Sequence, residues 1–137
     1  MGVWLTSHGL APRGAVTLEV PGRRSGKPRR TPVLLTSRGG REYLVSLAGE
    51  SEWVRNVRAA GGRAVLRRRG ARAVRLVELP PEEGPPVIDA YITREGEASA
   101  RAAARTARYY FGLPPEPSLQ QIAAAAGFYP VFRVEEG

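Results

Sequence analysis

The chain has 137 residues, which suits one domain able to bury about two thirds of its unfolded surface. It has no cysteine, which excludes disulfides, thiolate metal sites and cysteine nucleophiles, while 21 Lys and Arg against 13 acids give a formal charge of +8 and point to an anionic partner. No apolar run reaches the roughly 20 residues of a membrane span, and the opening MGVWLTSHGLAPRG lacks a secretion signal's apolar core. The expectation is a cytoplasmic protein, with peripheral membrane association left open.

In chain order, Val16, Leu18 and Val20 alternate with Thr17 and Glu19, the period of a half-buried strand. Thr31 to Ser37 is a β-branched run, and Arg38-Gly39-Gly40 turns it back into Glu42 to Leu47 as a hairpin. Ser51 is placed to cap a short helix that carries Trp53, Val54 and Val57 and stops at Gly61-Gly62. Arg63 to Arg69 and Ala71 to Leu79 flank Gly70 as a second hairpin. Pro85-Pro86 then open a helix carrying Val87, Ile88, Tyr91 and Ile92. In the next helix Ala100, Ala103, Ala104, Ala107, Tyr110 and Phe111 form an apolar face, and Arg101, Arg105 and Arg108 a solvated one. Ser118 and Gln121 make a capping box for a third helix, and Phe128 to Val134 reads as a closing strand.

This order predicts a mainly β protein with peripheral helices (α+β), an antiparallel barrel of about six strands in a single domain over 1–137. Two hairpins before any long crossover argue against a parallel sheet.

Between the first two strands lies VPGRRSGKPRRTP, with five positive charges in the nine residues from Gly22 to Arg30. It is no P-loop: the spacing is one residue short and Pro28 follows Lys27. DNA-binding hooks and localisation signals of this composition usually sit in disordered tails, whereas this stretch is bracketed by strands. A plain solvated hairpin loop is the bland alternative. Three details favour a ligand. Gly22 and Gly26 let a backbone approach closely and, with Ser25, can build an anion nest. Pro28 and Pro32 stiffen the loop. The clustered charges also repel one another until something negative arrives.

LEVPGRRSGKPRRTPV, followed by REYLVSLAGESEWVRNVRAAGG, resembles the deazaflavin-dependent nitroreductase family over residues 15 to 79. The shared signature is G-R-x-S-G-x-x-R-x-T-P after a strand, then W-x-x-N-[LV]-x-A. The resemblance implies a split β-barrel of the FMN-binding kind, with coenzyme F-420 (8-hydroxy-5-deazaflavin) in a groove and FMN as the alternative cofactor. It implies that Arg23, Arg24, Ser25, Gly26, Lys27 and Pro28 hold the cofactor's phosphate and oligoglutamate tail, with Arg29 close by. Thr31, Pro32 and Val33 would line the ring system, and Gly49, Trp53 and Asn56 would close the other side. The implied activity is hydride transfer from the reduced cofactor to a small acceptor such as a nitroaromatic, quinone or enone, with no catalytic residue named in the chain. A non-catalytic protein that binds cofactor or nucleic acid through the same arginines is the alternative from another class, although no specific nucleic-acid target is expected. Related barrels often pair, so a homodimer is expected. Two departures stand out: SLAGESE is shorter than the corresponding loop of quinone-reducing members, and Val54 replaces an aromatic residue.

Outside these motifs, His8 and Glu52 read as surface groups, the latter explained by the helix dipole. Arg67, Arg68 and Arg69 form a second basic tip that would either extend the tail-binding surface or blunt a strand edge.

Overall fold

Alternation sets the first strand: in β1 (Ala15–Pro21) the side chains of Val16, Leu18 and Val20 are buried and their neighbours are not. The computed structural model describes residues 14–137, so His8 and the opening segment lie outside the described residues. β2 (Pro28–Arg38) runs antiparallel to β1, and β3 (Arg41–Val45) returns through Gly39-Gly40. Helix α1 (Glu52–Ala59) crosses to β4 (Arg63–Arg67), which pairs with β1 on one side and with β5 (Ala71–Glu78) on the other. Three helices follow, α2 (Gly84–Thr93), α3 (Ala100–Phe111) and α4 (Leu119–Ala125), before β6 (Val131–Glu136) inserts between β3 and β5. The order β1-β2-β3-β6-β5-β4 closes on itself with every pair antiparallel. The result is a six-strand split β-barrel with helices outside it, as the sequence order predicts.

Two apolar clusters follow from the two faces of the sheet. Inside the barrel, Leu18, Val20, Leu44, Leu66, Leu76 and Phe132 pack against Val54 and Val57, which α1 lowers into one end. Outside it, Tyr43, Val45 and Val131 carry Val87, Ile88, Ile92, Phe111 and Ile122 of the helices. Burying a side chain of this size is worth roughly 1.5–3 kcal/mol before entropy. Among the described residues no helix is long and apolar enough to cross a membrane.

Local differences from the sequence reading have physical causes. β2 begins at Pro28 rather than Thr31, because Arg29 and Arg30 join the ladder opposite Val20 and Glu19. Glu19 accepts from Arg30 Nε at 2.9 Å and from Arg67 Nε at 2.9 Å, which neutralises charge that would otherwise exclude a strand. β6 begins at Val131 rather than Phe128, since α4 runs on into a 3-10 turn over Ala126–Phe128 that leaves Phe128 exposed. Tyr110 is exposed although it sits on the face expected to be apolar, and α3 buries only Ala107 and Phe111.

Candidate functional site

The basic stretch folds as a tight turn at the end of the β1–β2 hairpin. Gly22 N–H donates to the Lys27 carbonyl at 2.8 Å, and Gly26 N–H to the Gly22 carbonyl at 2.8 Å. Lys27 N–H donates to Ser25 Oγ at 3.1 Å. Gly26 has φ of 73°, a conformation that glycine adopts without steric cost. At Gly22 a Cβ would stand 3.1 Å from Ser25 Oγ and 3.2 Å from Arg29 Nε, so the missing side chain is what lets the turn close on itself.

The turn is clamped to α1. Arg23 donates its main-chain N–H to Asn56 Oδ1 at 3.1 Å and its Nη1 to the same oxygen at 2.9 Å. Nη1 also meets Glu52 Oε1 at 3.0 Å, and this hydrogen bond and charge hold the Glu52 carboxyl below its ordinary value. Asn56 is buried, and its carboxamide oxygen is engaged by the clamp. Arg23 is therefore neutralised and pinned.

The remaining cations are different. Arg24, Lys27 and Arg29 are exposed, and among the described residues none forms an ion pair. The expected anion nest is narrower than the glycines imply, because the amides of Gly22, Arg23, Gly26 and Lys27 are bonded within the protein. The amides of Arg24 and Ser25 make no hydrogen bond among the described residues. Three cations outside any ion pair, two amides and open space around Gly26 form a donor set whose chemistry fits a ligand with a phosphate and several carboxylates, while Glu52, which feels Arg24, is bonded to Arg23.

The other expected site residues divide. Pro28 opens β2 opposite Pro21. Thr31 and Val33 pair with Leu18 and Val16 and share their inward face, whereas Pro32 pairs with Thr17 and is exposed outside. One flat ligand cannot meet all three from one side. Trp53 is half-buried on the barrel core, with its ring centroid 5.5 Å from that of Phe132. The Gly49 carbonyl accepts from Ser46 Oγ at 2.6 Å. Asn56 bonds directly to the turn, so α1 and the turn form one unit rather than facing walls. Val54 is fully buried in the barrel.

Among the described residues, surface clefts of about 510 Å³ and 160 Å³ lie elsewhere, and neither is lined by a residue of the turn. Nor does the Arg67–Arg69 tip extend the site. Arg67 stands opposite Thr17, about 13 Å along β1 from Pro21 where the turn begins, and it is paired with Glu19. Among the described residues no group of His, Cys, Asp and Glu is arranged to hold a metal ion.

A closed six-strand barrel with a cationic turn fixed to its first helix defines a small split-barrel protein. Residues 6–83 match the family described as F420H(2)-dependent quinone reductase, and the chain belongs to that family. No curated protein matches the chain. Among solved structures, it is similar to a protein of unknown function from Agrobacterium tumefaciens, with TM-score 0.59 and 19% identity over 91% of this chain. The chain spans 49% of the length of that protein. It is also similar to a putative 5-nitroimidazole antibiotic resistance protein from Bacteroides thetaiotaomicron, with TM-score 0.52 and 13% identity over 90% of this chain and 72% of that one. A putative pyridoxamine 5'-phosphate oxidase from Listeria innocua aligns with TM-score 0.50 and 12% identity over 89% of this chain and 82% of that one. These likenesses concern the fold.

Proposed function

We propose that the protein is a reductase that uses reduced F-420 and delivers hydride to a small organic acceptor of the quinone, nitroaromatic or enone kind. Family membership supports the cofactor. The observation that carries the site is the contrast within one turn, where Arg23 is tied to Asn56 and Glu52 while Arg24, Lys27 and Arg29 form no ion pair among the described residues.

On this reading Arg24, Lys27 and Arg29 bind the phosphate and the glutamate tail by charge-assisted hydrogen bonds, with the Ser25 amide beside them. Gly26 keeps the approach open, and Pro28 and Gly22 keep the turn in shape. Arg23 and Asn56 are positioning residues that hold the turn before ligand arrives, which lowers the ordering cost of binding. Trp53, Thr31 and Val33, on the inner side, meet the ring on this reading, while Pro32 stiffens β2 from outside and Gly49 shapes the loop before α1. The bound deazaflavin supplies the hydride. The chain's part is to anchor, orient and exclude water, which requires no side-chain base.

The test is an absorbance titration of the wild-type chain and of an Arg24→Ala, Lys27→Ala double variant with long-tailed F-420 and with a tail-less deazaflavin. The double variant should lose at least tenfold in affinity for the long-tailed form and much less for the tail-less one. Equal losses would remove the tail contacts from the proposal, and absence of saturable binding to the wild type would remove the cofactor.

A further inference from the structure

The larger cleft lies on the outer face of β2, β3 and β6, away from the basic turn, and its lining is chemically polarised. One wall is cationic. Arg38 and Arg41 are directly opposite across the hairpin, and Tyr43 is directly opposite Arg133, so all four side chains rise from the same outer face of the sheet. Like charges facing each other across a hairpin disfavour it, and among the described residues neither Arg38 nor Arg41 has an ion-pair partner. Arg133 has one, Glu135 at 2.7 Å. Glu135 takes both Nε and Nη2 of Arg133, at 3.1 and 2.7 Å, so the guanidiniums of Arg38 and Arg41 are the ones left without a carboxylate among the described residues. Elsewhere the chain is less sparing with acids: Arg58 lies between Glu50 and Glu78, and Arg72 between Glu42 and Glu136.

The floor and far wall are of another kind. Leu79 and Pro86 supply apolar surface above buried Val87, and Glu82 and Glu83, in the turn before α2, stand on the rim. No ion pair closes across the cleft from either glutamate to the arginine wall among the described residues. The walls are therefore complementary in charge and yet separate, around a volume of about 510 Å³ that lies in the range of small-molecule sites.

We propose that this cleft is a second ligand site, which takes a small organic monoanion: a carboxylate on an apolar body, with the carboxylate on Arg38 and Arg41 and the body on Leu79 and Pro86. The arginine wall supplies fork-shaped donors matched to a carboxylate. The Tyr43 ring edges the same wall. The glutamates on the rim select against ligands with several negative charges, which separates this site from the basic turn. The cleft and the turn have no residue in common, so either assignment can fail without the other.

The probe is 4-phenylbutyrate, followed by calorimetric titration and by shifts of backbone amides in the full chain. It should bind saturably, shift the amides of Arg38 to Tyr43 and of Glu82, Glu83, Gly84 and Val87, and outcompete both 4-phenylbutanamide and inorganic pyrophosphate. Arg41→Ala and, separately, Arg38→Ala should each weaken it by about tenfold, since each removes a charge-assisted contact from an exposed position. Arg24→Ala, on the basic turn, and Arg105→Ala, exposed on α3 and outside both sites, should each leave this binding unchanged. The proposal is overturned by the absence of saturable binding, by equal affinity for the neutral amide, by tighter binding of pyrophosphate, or by an Arg24→Ala loss as large as that of Arg41→Ala.

Discussion

Asn56 holds Arg23 at two points with one oxygen, accepting the main-chain N–H at 3.1 Å and the guanidinium at 2.9 Å, across a separation of 33 residues. Removal of the carboxamide leaves a part-buried amide and a guanidinium without that acceptor. Asn56→Ala should therefore cost about 2 kcal/mol in urea denaturation. Asn56→Asp, which keeps an acceptor oxygen in place, should recover most of that loss at neutral pH. If the alanine variant is as stable as wild type, the clamp is not what fixes the turn.

Glu19 lies between two arginines, and the Arg67 hydrogen bond first, then that of Arg30, holds its carboxyl below the ordinary value of 4.5. A carboxyl whose folded value is depressed adds stability above its unfolded value, and that contribution is lost as pH falls through the folded one. Wild type should thus lose stability from about pH 5 downward. Glu19→Gln should flatten this part of the profile, as measured by denaturant midpoints across acid pH. A profile unchanged by the substitution would mean that other carboxyls govern the acid limb.

Gly61 and Gly62 both end α1 with positive φ, of 66° and 87°, but their surroundings differ. A Cβ on Gly61 meets nothing within 4 Å, whereas one on Gly62 would stand 2.5 Å from the Leu76 carbonyl oxygen. Gly61→Ala should cost about 1–2 kcal/mol, the penalty of the left-handed conformation alone. Gly62→Ala should cost roughly 3 kcal/mol or more, because β4 and β5 must also part. The ordering of the two thermal midpoints is the readout.

Ser118 and Ser51 occupy the same formal position at two helix starts, yet only one caps. Ser118 Oγ accepts from Gln121 N–H at 3.1 Å while Gln121 Oε1 accepts from Ser118 N–H at 2.9 Å. The Ser51 side chain makes no cap bond and lies 3.5 Å from Ser46 Oγ. Ser118→Ala should cost about 1 kcal/mol, and Ser51→Ala clearly less. Equal losses in chemical denaturation would contradict this distinction.

The barrel was legible because its signals are local. Period-two alternation at Val16, Leu18 and Val20, the Gly39-Gly40 turn and the Gly70 tip mark strands and hairpins within a few residues. The capping box is likewise a four-residue pattern. What failed to show depends on partners far apart in the chain. The strand character of Arg30 needs Glu19 and a register to bring it alongside. The role of Asn56 as a clamp needs a turn more than 30 residues upstream. Val54 departs from the family's aromatic residue at a position that faces the barrel core, where volume rather than ligand chemistry decides. Charge alone also gave no means of telling pinned Arg23 from unpaired Arg24, since that difference is one of geometry.

The position of β6 has a consequence for how the molecule is made. It is the last of the described strands and the seam between β3 and β5, so a growing polypeptide that has already produced β1 to β5 and α1 to α4 still carries two open sheet borders. Until Val131–Glu136 leave the ribosome, the nascent chain has unpaired main-chain groups on both borders and an unfilled place where Phe132 belongs. Closure is a single late event, and the interval before it is when this protein is most exposed to wrong pairing with its neighbours.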